Sequence, residues 1–426
     1  MTEVKLPETV TSIGRYAFAD CKSLTEFVVP ENVTNIGPYG TFSGCTSLES
    51  ITLPEKVNNS SWERMFNGCT SLKELTIPEG IREFGAYVVW NNTALETLNL
   101  PSTLTAQIGS YNLSGLPNID TITVASGNTS YKVEAGCLIY KETLVRKGTN
   151  NSRLQDVTSP ITEVTGFGGL NKLTEILIPE GVLTSSGMNG LPNLITLSFP
   201  STLTSFTWTK NNPKLENVIF AEGIKITEIP AGAFENCESL KQISIPEGVE
   251  SIGGDAFYRC TSLESINLPT TLTSLSGCFV RCSSLKVLNI PGSIETYNQG
   301  QNFHSVYLDK LIFNEGTKYL KGTNTFWYGG IKSLYLSSTI ESIDANFFWI
   351  GSMENVFIKS TYLYNASTDG TENDNLMKKA KKIYILSSIV ENTENSSAYL
   401  NETNFDIVAN GYTDEEGNSY YVYTRK

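Results

Sequence analysis

The chain of 426 residues contains a single histidine, His304. That scarcity removes most metalloenzyme, Ser-His and Cys-His chemistries, which need histidine as ligand or base. No G-x-S-x-G elbow, Walker loop, G-x-G-x-x-G or HExxH occurs. No run of 18 apolar residues is present, so no transmembrane helix is expected. Positive charge is short: 31 Lys+Arg stand against 44 Asp+Glu, a net charge of -13. Such a surface repels phosphate backbones, which argues against nucleic-acid binding. Methionine is sparse at 5, whereas Gly (34), Tyr (20) and Phe (19) are plentiful and favour turns and strands.

What is present is a repeat. VKLPETVTSIG returns as FVVPENVTNIG, LTIPEGIREFG and ISIPEGVESIG. With Pro7 as the anchor, equivalent positions fall at 7, 30, 54, 78, 101, 125, 158, 179, 200, 221, 246, 269, 291, 314, 337, 359 and 386. Nearly all the intervals lie between 21 and 25 residues, the length of one solenoid coil rather than of a globular domain. The residue before each anchor is apolar, as is usually the one three before it (Phe27 and Val29, Ile243 and Ile245). This alternation predicts a short strand with one face in a core. Proline then ends it, having no N–H for the ladder. One coil buries too little to fold alone, so stacked neighbours must supply the rest. The seventeen anchors predict a solenoid spanning 1–403 with short parallel strands.

IPEGVESIGGDAFYRCTSLESINLP (245–269) resembles the BspA-like leucine-rich repeats, and the resemblance extends from residue 1 to about 390. It implies a curved right-handed leucine-rich-repeat solenoid. It also implies a secreted or cell-surface protein of a host-associated bacterium or protist, adhesin-like and non-catalytic, with no cofactor. The expected partner is an extracellular protein such as a host matrix protein. The alternatives are a glycan, or a passive spacer role for another domain. The chain enters at Val4-Lys5-Leu6, partway through a coil. This reads as a piece of a longer secreted protein whose signal peptide is removed or omitted.

Three segments depart from the repeat. Residues 131–147, YKVEAGCLIYKETLVRK, alternate like an inserted β-hairpin. A polar insert lies near 361–377 and carries Asp369, Glu372 and Asp374, whose spacing does not match an EF-hand. Residues 404–426 alternate around DEEGN and predict a β-hairpin cap on the C-terminal end of the stack. Lys378, Lys379, Lys381 and Lys382 form a basic knot best read as a solvated strand flank.

Six of the eight cysteines (Cys21, Cys45, Cys69, Cys237, Cys260 and Cys282) stand nine residues before an anchor, where other coils carry Asn92 and Asn212. A position shared by Cys and Asn predicts a small buried turn residue, unpaired and structural. Cys278 and Cys282 lack the partners of a zinc set, and His304 reads as an ordinary turn residue.

Recognition is then what the architecture offers. The residue two before each anchor faces outward and is mostly small and polar. In the last four coils it becomes Ile312, Tyr335, Phe357 and Tyr384, with Lys310 and Lys382 beside them. Flanking charge shifts from acidic (Glu26, Glu49, Glu74, Glu96, Asp120) to largely basic (Lys310, Lys332, Lys381, Lys382 against Asp309 and Glu354). These six residues, Ile312, Tyr335, Phe357, Tyr384, Lys310 and Lys382, form the candidate ligand-binding stripe. Burial of Tyr335 and Phe357 under 361–377 or 404–426 would instead make the aromatics core.

Overall fold

In a computed structural model of the chain, the residues described are 3–147, 154–168, 170–207, 209–297, 303–321, 326–327, 329–344, 347–350, 353–360, 379–392, 400 and 405–426. They form a parallel-strand β-solenoid of about 15 turns with very little helix. The chain divides into two compact units, Met1–Asn212 and Pro213–Lys426. Every anchor except Thr158 is entered by a strand; there a 3-10 turn, Leu154–Asp156, takes its place.

The strands pair parallel at equivalent repeat positions. In the first unit Glu26 pairs with Glu3 and Ser50, and Leu98 pairs with Leu75 and Ile122. In the second unit Ile243 pairs with Ile266. The anchor proline ends the ladder, but its carbonyl accepts from the amide three residues on, as Pro30 O does from Val33 N at 2.9 Å. This turn makes the corner and drives Val33 and its equivalents into the core.

Past the corner the structure adds a second short strand in most coils, seen in both units at Ser12–Ile13 with Asn35–Ile36 and at Ser251–Ile252 with Ser274–Leu275. Each coil therefore hides its apolar residues only against its neighbours. Phenylalanines of the Ala-Phe turn stack in columns: Phe18, Phe42 and Phe66 at 5.5 and 5.6 Å, and Phe234, Phe257, Phe279 and Phe303 at 5.6 Å each. Cys45, Cys69, Cys260 and Cys282 donate their thiols to the carbonyl of the preceding coil's phenylalanine at 3.1–3.2 Å. Asn212 reproduces that contact through Nδ2, donating to Met188 O at 2.8 Å. At these five coils the shared Cys/Asn position gives a buried carbonyl a donor from the next coil, whereas Asn92 uses its Oδ1 to accept from Cys69 N at 2.9 Å.

The insert at 131–147 is a three-stranded meander rather than a single hairpin: Tyr131–Glu134, Cys137–Tyr140 and Thr143–Lys147. The third strand turns parallel and joins the second ladder at Glu163–Val164. The segment that alternates as one unit in sequence is thus divided by two tight turns, the first with Ala135 and Gly136 at positive φ. Tyr131 fastens the meander: its hydroxyl accepts from Ile108 N and donates to Ala106 O, both at 2.7 Å.

A second fastening recurs where an E-G pair after the anchor position precedes a coil with S/T-T there, the anchor itself being Pro in three cases and Asn314 followed by Ser337 in the fourth. Glu79 accepts from the amide and hydroxyl of Ser102 at 2.8 and 2.9 Å. The Gly80 amide donates to Thr103 Oγ1, which donates on to Ile81 O. The pattern repeats at Glu180 with Ser201, Glu247 with Thr270 and Glu315 with Ser338. The glycine is required because φ there lies between +98° and +104° at Gly80, Gly181, Gly248 and Gly316. The Ser201 amide chiefly, helped by its hydroxyl, holds the Glu180 carboxyl below its usual range against a smaller opposing effect of burial. In the meander, the hydroxyl of Ser159 and then Thr158 bring Glu134 down to about 2.

These glutamates have lower pKa values folded than unfolded. Their contribution to stability is complete above the unfolded carboxylate range, near ~4.3, and is lost as pH falls through the depressed folded values. Melting temperature should hold steady from pH 7 to about 5 and then drop steeply toward pH 2. Glu134→Gln should show a shallower drop, measured by circular dichroism; an identical slope in the variant would refute the assignment.

Candidate functional site

The candidate stripe lies on the last parallel strands of the second unit: Tyr307–Phe313, Gly330–Leu336, Met353–Ile358 and Ala380–Leu386. Parallel register places Ile312 opposite Tyr335, Tyr335 opposite Phe357 and Phe357 opposite Tyr384. The three rings consequently stack, with centroids 4.3 Å apart at both steps and interplanar angles of 0° and 15°. Lys310 Nζ sits 4.7 Å above the Tyr335 ring. A cation over a ring face is attracted by its quadrupole.

The C-terminal strands extend the same sheet. Ser419–Arg425 pairs antiparallel with Ala380–Leu386, and Phe405–Thr413 pairs outside it. Their turn bends back over the stripe. Tyr412 reaches within 5.6 Å of Phe357 and 5.2 Å of Tyr384, and Tyr420 within 5.9 Å of Phe357. Phe357 is thereby reduced to 5% exposure and belongs to the core. Tyr335 and Ile312 stay half-buried, because the turn stops short of them. What remains open is a groove of about 310 Å³. Ile312, Tyr335 and Phe357 line its floor; Tyr412 and Asp414–Glu416 form one wall.

The wall is braced. Asp414 accepts from the amides of Glu416 and Asn418 at 3.1 and 2.8 Å and from the Tyr420 hydroxyl at 2.9 Å. Lys359 Nζ meets Glu416 at 3.1 Å and ties the turn to the solenoid. Burial first, then the neighbouring Tyr412, Asp414 and Glu415, raises the Tyr335 hydroxyl pKa, so it stays protonated and available as a donor.

The six stripe residues therefore divide. Ile312, Tyr335, Phe357 and Lys310 line the groove. Tyr384 lies beneath Tyr412, and Lys382 is exposed elsewhere on its strand. The basic trend along the flanks is incomplete as a description, because Asp414, Glu415 and Glu416 arrive from the hairpin and Glu315 from the solenoid. The missed residues are those four acids together with Lys359 and Tyr412. Their only sequence signal is a tyrosine next to an acidic turn, and the repeat period says nothing about where that turn folds. The polar insert at 361–377, with Asp369, Glu372 and Asp374, lies outside the described residues, as does Lys378. Lys379 donates to Phe348 O at 2.9 Å.

The remaining candidates offer little chemistry. His304 is half-buried, with Nδ1 3.1 Å from the adjacent Ser305 hydroxyl. Among the described residues no three His, Cys, Asp or Glu side chains converge on one point, and no helix is long and apolar enough to cross a membrane. None of the eight cysteines is in a disulfide, and only Cys21 is not fully buried. Burial pushes the Cys45 thiol up to about 11 and the Cys282 thiol up to about 12. A disulfide-exchange reagent at pH 8 should thus titrate at most Cys21 in the native chain, and all eight thiols in denaturant. Rapid native reaction of several thiols would contradict this packing.

Residues 1–120, 209–328 and 299–389 match the family described as the BspA type leucine rich repeat region, in six copies. No curated protein matches the chain. Among solved structures, a leucine-rich repeat protein from Eubacterium ventriosum is 25% identical, with a TM-score of 0.56 over 67% of this chain and 77% of that one. A leucine rich cell surface protein from Faecalibacterium prausnitzii is 26% identical over 66% and 76%, with a TM-score of 0.47. A leucine-rich repeat protein from Bacteroides ovatus is 23% identical over 68% and 84%, with a TM-score of 0.39.

Proposed function

The chain belongs to the BspA-type leucine-rich repeat family, and on that premise we propose that it is a non-catalytic binding scaffold of a bacterial surface that engages a segment of an extracellular protein. The observation that supports this reading is the groove between the last coils and the C-terminal hairpin. It combines a half-open floor of Ile312 and Tyr335, a tyrosine wall at Tyr412 and charged groups of both signs at its rim. Aromatic anchors in a partly desolvated cleft with a polar rim are what concentrate binding energy in protein interfaces. The wall is held by hydrogen bonds within its own turn, so a ligand meets a preformed site and orders little on arrival. Adhesion and exposure on the cell surface are parts of the same proposal, and what supports them is the family alone.

The test is binding of the purified chain to a panel of immobilised matrix proteins, with variants in parallel. Tyr335→Ser removes the open ring without emptying the core and should weaken the strongest interaction roughly tenfold or more. Glu415→Lys should alter the association rate and its salt dependence. Phe357→Ser is the wrong probe, since opening a cavity at a buried phenylalanine costs about 3 kcal/mol or more of stability. Wild-type affinity in Tyr335→Ser would place the interaction elsewhere on the chain.

A further inference from the structure

A second aromatic surface lies on the outer turns of the first unit, away from the strand that precedes each anchor. Tyr16 and Tyr39 meet edge to face at 5.5 Å. Tyr87 meets Trp90 at 5.7 Å and Tyr111 at 5.4 Å. Between the two groups, Arg64 lies 5.1 Å over the Tyr87 ring, and the Tyr39 hydroxyl donates to Glu63. Backbone hydrogen bonds between coils carry the row along, from Tyr16 N to Tyr39 O and from Arg64 N to Ala86 O. Tyr16, Trp90 and Tyr111 are 52%, 40% and 44% exposed.

The fold does not require aromatics here. In the turns before Phe42, Phe66, Phe234, Phe257 and Phe279 one residue takes left-handed φ: Gly40, Gly232, Asp255 and Gly277 at +57° to +64°, and Arg64 at +51°. Tyr16 and Tyr87 hold the same position at +56° and +59°. A bulky side chain in that region carries strain that glycine or aspartate avoids. The rings contribute little to the core, since they point out over the surface. Strain retained for an exposed ring is a feature of binding sites rather than of packing.

We propose that this row is a platform for a neutral oligosaccharide. Flat ring faces stack on the C–H face of a pyranose, while the tyrosine hydroxyls, Glu63 and Arg64 between them are placed to hydrogen-bond sugar hydroxyls. The three exposed large apolar residues in these turns are all aromatic with a polar tip, and no large aliphatic side chain is exposed beside them. That composition suits a hydroxylated ligand better than the apolar anchor of a protein partner. Net charge of -13 opposes anionic polymers. The row follows the coil spacing, about 4.8 Å per coil, so its rings offer repeated stacking sites along one direction.

The experiment applies the whole chain to an array of neutral oligosaccharides and follows any hit by calorimetry and tryptophan fluorescence. A neutral sugar should bind and perturb tryptophan emission. Tyr87→Asn keeps a residue that tolerates left-handed φ, so its melting temperature should be unchanged or raised while sugar affinity falls roughly five- to tenfold. Trp90→Ala, on ordinary backbone, should show a comparable loss and serves if the first variant is unsound. Tyr335→Ser should bind sugar as wild type does, since its groove is a separate surface. The proposal is overturned if no neutral sugar is retained, if only sulfated or sialylated sugars bind, or if both ring variants keep full affinity. Loss of sugar binding in Tyr335→Ser, or loss of a protein partner instead of sugar in Tyr87→Asn, would also overturn it.

Discussion

In-register parallel pairing between successive coils is the constraint on which the rest of the structure depends. A coil of some two dozen residues cannot bury enough apolar surface to offset its own ordering. It becomes stable only when its two or three apolar faces meet identical faces above and below. Register follows from that need: a slip of one residue would turn Phe27 or Ile243 out of the core and bring a polar neighbour in. The ring columns, the thiol contacts to the preceding phenylalanine and the glutamate–serine fastenings are all consequences of like positions lying over like.

Exact repetition also concentrates cost at the corners. Each coil must turn several times within a few residues, and the turns demand left-handed backbone at fixed places. Asp20, Gly44, Gly68, Asn91, Asn236, Arg259 and Arg281 all carry positive φ just before the Cys or Asn position. Glycine, asparagine and aspartate meet that demand at small cost, whereas tyrosine and arginine do not. Where arginine stays in such a place it lies over a neighbouring ring, as Arg259 and Arg281 do over Tyr258.

The C-terminal hairpin acts on the same logic from the end of the stack. A parallel ladder leaves unpaired backbone groups on its last strand, and Ser419–Arg425 satisfies them by pairing antiparallel to Ala380–Leu386. In doing so it lays Tyr412 and Tyr420 against rings that the register had already stacked. The closing of the edge and the building of the groove are one event. Part of the aromatic stripe is absorbed into a core, and the remainder gains a wall it would otherwise lack.

The periodic part of this protein was legible in its residues. The anchor prolines, the apolar pair before them and the Cys/Asn exchange announce a solenoid, its strands and its buried, disulfide-free cysteines, because a repeating local pattern has one way to stack. The positions of Ile312, Tyr335, Phe357 and Tyr384 on one face follow from the same period. Tertiary structure decided what the period does not encode. The 131–147 insert became three strands joined to the second ladder, the Asp414–Glu416 turn settled over the stripe, and Phe357 was closed off while Tyr335 stayed open. Each of these depends on contacts between segments with no shared repeat position, so no spacing in the chain could carry the answer.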